Sequence, residues 1–127
     1  MVNWVLALDI GSKKTGIAVG QDLTKTARPL KTLRKKSELL SYLDFMPIIS
    51  EWKVKTILIG YPLLADGKEH FLAKTILRLE KEFKENGFEV ALVSEYLTSY
   101  EAQKRFPKHK NYDCISAQIM IEDFFSL

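Results

Sequence analysis

Cysteine is almost missing from this chain: Cys114 stands alone among 127 residues. That excludes an intrachain disulfide, makes a thiolate zinc site a poor expectation, and suits a reducing, cytoplasmic compartment. Long apolar runs are missing too. The first one, Val2 to Leu8, is broken by Asn3 and stops at Asp9, whereas a spanning helix needs about 20 mostly apolar residues. It also lacks the basic start and small-residue cleavage site of a signal peptide. Neither membrane insertion nor export is expected. There is no Walker-type glycine loop, and no repeat, low-complexity tract or linker. His70 and His109 have no partner at metal or triad spacing, so both are expected at the surface.

What is present is globular. Hydrophobic residues make up 46% and charged residues 28% of the chain, which excludes a disordered polymer. The length favours one domain over residues 1–127. Net charge is +3, but it is unevenly placed. Lys25, Arg28, Lys31, Arg34, Lys35 and Lys36 follow one another with no acid between them. Without those six, acids outnumber bases. A weaker cluster runs through Lys104, Arg105, Lys108, His109 and Lys110. Such clusters suit a phosphate backbone, or equally an edge strand kept from pairing by its lysines.

Apolar patterning predicts the elements. Val5 to Leu8 is apolar on both alternating faces, as in a central strand. Gly11 and Gly16 frame a turn, Ile17 to Val19 returns as a second strand, and Thr26 to Leu33 adds a third. Pro29 makes that third strand an edge. Ser37 is the expected cap of a helix beginning at Glu38, and Pro47 is expected to break it into two short pieces ending near Lys53. Thr56 to Ile59 is a buried strand. A long helix is expected from about Lys68 to Asn86, with Leu72, Ile76, Leu79 and Phe83 on one face and Gly87 as its stop. Val90 to Val93 is the last strand. Thr98 to Glu101 reads as a capping box for a short helix ended by Pro107. A final helix starts near Asp113, its expected N-cap.

The helical crossovers make the later strands parallel to the first. The result is an α/β fold with a mixed five-stranded sheet, an antiparallel three-stranded meander followed by parallel strands, flanked by helices. It resembles the ribonuclease H-like fold.

Parallel strands place their carboxyl ends on one edge, where ligand sites gather. Asp9 ends the first strand, Glu95 follows the last, and Asp113 opens the final helix. Each acid also has a plainer use: a turn for Asp9, a loop for Glu95, a helix cap for Asp113. Gathered in one place, three carboxylates repel one another unless cations neutralise them. Hard oxygen donors without sulfur suit Mg²⁺ or Mn²⁺. Two such ions are the expected complement for phosphodiester cleavage. Lys13 and Lys14 in the turn, with Arg28, Arg34, Lys35 and Lys36 on the flanking strand, are the candidate nucleic-acid contacts. Tyr100, Phe106 and Tyr112 are candidates for stacking on unpaired bases, although packing explains them as well.

The chain resembles the YqgF/RuvX family of Holliday junction resolvases and pre-16S rRNA processing nucleases. The resemblance runs through Leu8 to Val19, Ala27-Arg28-Pro29-Leu30, Ile59 to Leu63, Asp66-Gly67, Ser94 to Ser99, and Asp113 to Ala117. It implies a ribonuclease H-like nuclease in which Asp9, Glu95 and Asp113 are the catalytic, metal-binding acids, acting on precursor rRNA or branched DNA as a monomer or weak homodimer. One departure stands beside the site. The family's usual Asp-Glu-Arg is Ser94-Glu95-Tyr96 here, which removes a bidentate phosphate contact. Two other classes share the fold: a nucleic-acid-binding scaffold that does not cleave, and a phosphate-binding ATPase-type module. The second normally needs two such domains around its nucleotide.

Overall fold

The order of polar and apolar residues along five segments builds one mixed sheet. The computed structural model describes residues 3–62, 70–94 and 112–126, without the side chains of Ser94, Tyr112 and Asp113. Strands β1 (Trp4–Ile10), β2 (Lys14–Gln21) and β3 (Thr26–Arg34) form the antiparallel meander. β4 (Val54–Tyr61) and β5 (Glu89–Ser94) extend it in parallel, giving the order β3-β2-β1-β4-β5. As expected, β1 is central and β3 is an edge. Pro29 sits beside an irregularity in the β2–β3 register, between Ile17 and Ala18; a residue without an N–H is tolerated there.

The period-2 alternation of β1 divides the core in two. Leu6, Leu8 and Ile10 face one side with Ile17, Val19, Ile57 and Ile59. Helices α1 (Met46–Trp52) and α2 (Ala73–Glu85) cover that side. The predicted stripe of Leu72, Ile76, Leu79 and Phe83 is buried there, and Gly87 ends α2 at φ +90°. Val5 and Ala7 face the other side, where α3 (Tyr112–Phe125) lays Ala117, Met120 and Ile121 over them.

Small residues set how close α3 comes. A Cβ on Gly20 would stand 2.6 Å from Ile121 Cγ2 and 2.7 Å from the Thr26 carbonyl oxygen. Ala7 and Ala18 are also fully buried beneath the helix.

Three expectations are corrected. Ser37 does not cap a helix: its N–H donates to the Ser12 carbonyl (2.9 Å), which buries it at the start of a 3₁₀ turn, Ser37–Leu39. The capping box belongs to Ser41 and Asp44 instead, at the 3₁₀ turn Tyr42–Phe45. Pro47 lies in the first turn of α1 and starts that helix rather than breaking it. Helix α2 begins at Ala73, later than Lys68; before it, His70 Nδ1 accepts from the Leu72 N–H. The expected helix after Thr98 lies outside the described residues.

Candidate active site

Asp9 is the next-to-last residue of β1. Alternation puts it on the Val5–Ala7 face, beneath α3, and it is half-buried. The sheet register then shows which end of α3 lies over it. Asp9 pairs with Gly16, and Gly16 pairs with Thr32, so the three form one row across the sheet. Cys114 Sγ lies 3.2 Å from Thr32 Oγ1. A second row joins Val5, Gly20 and Ala27. Above it, Gln118 Nε2 donates to the Ala27 carbonyl (3.3 Å) and Ile121 lies over Gly20. Helix α3 therefore starts above the Asp9 row and runs back toward the beginning of β1. At about 4.8 Å between strands, Thr32 is about 10 Å from Asp9 across the sheet. Asp113 immediately precedes Cys114 in the first turn of α3, which already begins at Tyr112, so it lies inside the helix rather than at the N-cap expected of it, and its backbone belongs to this end of the molecule.

The last parallel strand points the same way. Leu8, Ile59 and Leu92 form a row, and β5 continues two residues farther toward the Asp9 edge, to Ser94. Glu95 comes next and lies outside the described residues, as do Tyr96 and the second basic cluster. Among the described residues no three potential metal ligands gather, because Asp9 is the one acid of the three whose side chain is described. Its carboxylate is a hard oxygen donor of the type Mg²⁺ or Mn²⁺ takes.

The β1–β2 turn is tight. Gly11 N–H donates to the Lys14 carbonyl (2.8 Å), and a Cβ on Gly11 would come within 2.9 Å of that oxygen. The chain beyond β3 zips onto this turn: Lys35 N–H donates to the Lys13 carbonyl (3.1 Å), next to the Ser37–Ser12 bond. Lys14 pairs with Arg34 across the strands. Five of the six expected phosphate contacts, Lys13, Lys14, Arg34, Lys35 and Lys36, thus come to the edge that carries Asp9. Among the described residues Lys13, Arg34 and Lys36 make no ion pair, whereas Lys35 is bound to Asp44 at 2.8 Å. Burial raises the pKa of the Asp44 carboxyl, but the hydrogen bonds from Lys35 and the Ser41 N–H and the Lys35 charge outweigh it, so the group sits below its ordinary value.

Arg28 is placed elsewhere. It pairs with Val19 in the row of Leu6, about 14 Å of sheet from Asp9, and its guanidinium lies 4.7 Å over the Trp52 ring on the opposite face. The sequence reading also missed Phe71, which is 73% exposed and borders a cleft of about 330 Å³ with Ser12, Lys13, Lys36 and Thr75. Its position beside a helical stripe gave no signal of that exposure.

A family profile described as "RuvX: Holliday junction resolvase" matches residues 3–127. The chain belongs to the RuvX family. Two relatives, both named "Putative pre-16S rRNA nuclease", illustrate the match. The one from Buchnera aphidicola is 32% identical over 95% of each chain. The one from Photobacterium profundum is 33% identical over 95% of this chain and 92% of its own. Solved structures share the RuvX fold at low identity. RuvC of Thermus thermophilus, solved with a Holliday junction substrate, superposes with a TM-score of 0.62 at 11% identity over 97% of this chain and 93% of its own. Fowlpox virus resolvase, in complex with junction DNA, gives 0.60 at 10% identity over 99% and 97%. These similarities agree with the ribonuclease H-like fold read from the element order.

Proposed function

We propose that this RuvX protein is a metal-dependent nuclease acting on structured nucleic acid, with the precursor of 16S rRNA as its substrate. The observation that carries the reading is the direction of α3. Its first turn, with Asp113, lies over the row that contains Asp9, and β5 runs toward the same edge as far as Ser94, the residue before Glu95 in sequence. The names of the relatives supply the substrate class.

Asp9, Glu95 and Asp113 would hold the divalent ions, Mg²⁺ or Mn²⁺, with two expected in the active complex. Such ions supply Lewis-acid stabilisation of the phosphate and lower the pKa of water. The chain's own residues do the rest. The backbone of Asp9 is fixed by its strand, so the residue is in place before substrate arrives. Lys13, Arg34 and Lys36, unpaired with any described acid, neutralise the phosphates flanking the scissile bond. Lys35 must leave Asp44 to join them. Tyr96, where the family's usual arginine would form a fork, leaves this work to the edge lysines.

The test compares cleavage of a 16S precursor RNA and a four-way DNA junction by one preparation, with Mn²⁺ and with chelator. Metal-dependent cutting of the precursor by wild type and not by Asp9→Asn is expected. Cutting confined to the junction would reassign the substrate. Binding with no cutting by wild type would make the protein a scaffold.

A further inference from the structure

A second cleft, of about 300 Å³, opens at the opposite end of the sheet beside Trp4 and Trp52, which line it together with Gln21, Thr26 and Arg28. The two tryptophans stand where neighbouring parallel strands begin. Trp4 opens β1, Trp52 precedes β4, and Trp4 pairs with Val54. Their ring centroids are 5.0 Å apart, and both rings are half-buried. Arg28 covers Trp52 and is itself exposed. Its guanidinium has no acid partner among the described residues. Gln21 and Thr26 line the same cleft, and the Gln21 side-chain amide makes no hydrogen bond among the described residues. From this cleft the edge strand leads through Lys31 to Arg34 at the Asp9 end.

We propose that the Trp4–Trp52–Arg28 cleft is a distal subsite for one unpaired nucleotide of the strand whose other part lies at Asp9; it rests on the nuclease reading above. Aromatic rings and arginine planes are the surfaces on which unpaired bases stack. A cation whose donors are unused among the described residues complements the adjoining phosphate, and the Gln21 amide, likewise without a bond among them, meets a base edge. Lys31 and Arg34 of β3 stand along the sheet edge between the cleft and the Asp9 end, where they can meet the intervening backbone. A stacked, cationic cleft therefore favours single-stranded over duplex nucleic acid.

The chain's two tryptophans both line this cleft, so intrinsic tryptophan emission reports on it directly. The titrant is a single-stranded RNA of about 12 nucleotides, a common footprint for such grooves, added without divalent ions to wild type and to Asp9→Asn. Saturable quenching is expected in both proteins, with affinity about tenfold weaker in Arg28→Ala, as for loss of one stacked base. Arg28→Lys is expected to recover little, since an ammonium does not stack as a guanidinium does. Because Asp9→Asn need not cleave, quenching in it upholds the subsite even if the nuclease reading fails. Three results overturn the proposal: emission unchanged while labelled RNA binds by anisotropy or fails to bind at all, equal quenching by duplex RNA, or an emission shift produced by protein concentration alone, which would mean that a second copy covers the cleft.

Discussion

Gly20 shows how one atom positions the candidate site. A Cβ there would meet Ile121 Cγ2 at 2.6 Å and a backbone oxygen at 2.7 Å, and the oxygen cannot swing away as a flexible side chain would. Gly20→Ala is expected to cost about 1–3 kcal/mol, the range for overpacking, and urea denaturation measures it. Asp44 makes a pH-dependent contribution of its own. Its folded pKa is depressed, so its stabilisation is present above the ordinary carboxyl value of 3.8 and is lost as pH falls through the lower folded value. Lys35 is 37% exposed in this pair, and solvent screening keeps the gain below about 1 kcal/mol. Asp44→Asn should therefore lower stability at neutral pH and approach wild type near pH 2, as read by denaturation at both pH values. Local residue logic was only partly legible in advance. Ser37 has the chemistry of a cap, but nothing in its neighbours announces that the carbonyl of Ser12, on the far side of two strands, will take its N–H.

At the scale of elements, the alternation in β1 was legible and decided most. Central placement, the parallel arrangement of β4 and β5, and the buried stripe of α2 all follow from where apolar residues recur. Arg28 shows where that legibility stopped. Six basic residues in a row look like one patch, but an irregularity in the β2–β3 register and the packing of α1 send Arg28 to the far face while Arg34 stays near Asp9. Charge order along a chain does not encode which face a strand presents. The tryptophan cleft escaped for a similar reason, since Trp4 and Trp52 meet only once β1 and β4 are neighbours. The edge residues that remain together should act additively on binding. Replacing Lys13, Arg34 and Lys36 with alanine in Asp9→Asn is expected to flatten the salt dependence of duplex affinity by about 0.9 in log–log slope for each phosphate no longer neutralised. Filter binding across a salt series checks this, and an unchanged slope would place the phosphate face elsewhere.

Across the whole molecule, the sheet brings distant residues to one edge. The chain visits that edge at the end of β1, at the end of β5 and at the start of α3, separated by long stretches of sequence. The small residues of β1 and β2 let α3 lie close enough to lead Asp113 there. The sequence pattern indicated the shared edge of β1 and β5 through strand direction alone, because parallel strands end on the same side. It did not indicate the tilt or direction of α3, which depend on contacts such as Cys114 with Thr32 and Ile121 over Gly20. The central claim, that Asp9, Glu95 and Asp113 jointly hold divalent ions, is tested most directly by electron paramagnetic resonance titration of Mn²⁺. Wild type should bind Mn²⁺, and Asp9→Asn, Glu95→Gln and Asp113→Asn should each weaken binding by at least about tenfold, the lower range for disturbing a metal site. If any of the three neutral variants binds Mn²⁺ as tightly as wild type, that acid is not a ligand and the shared site is contradicted.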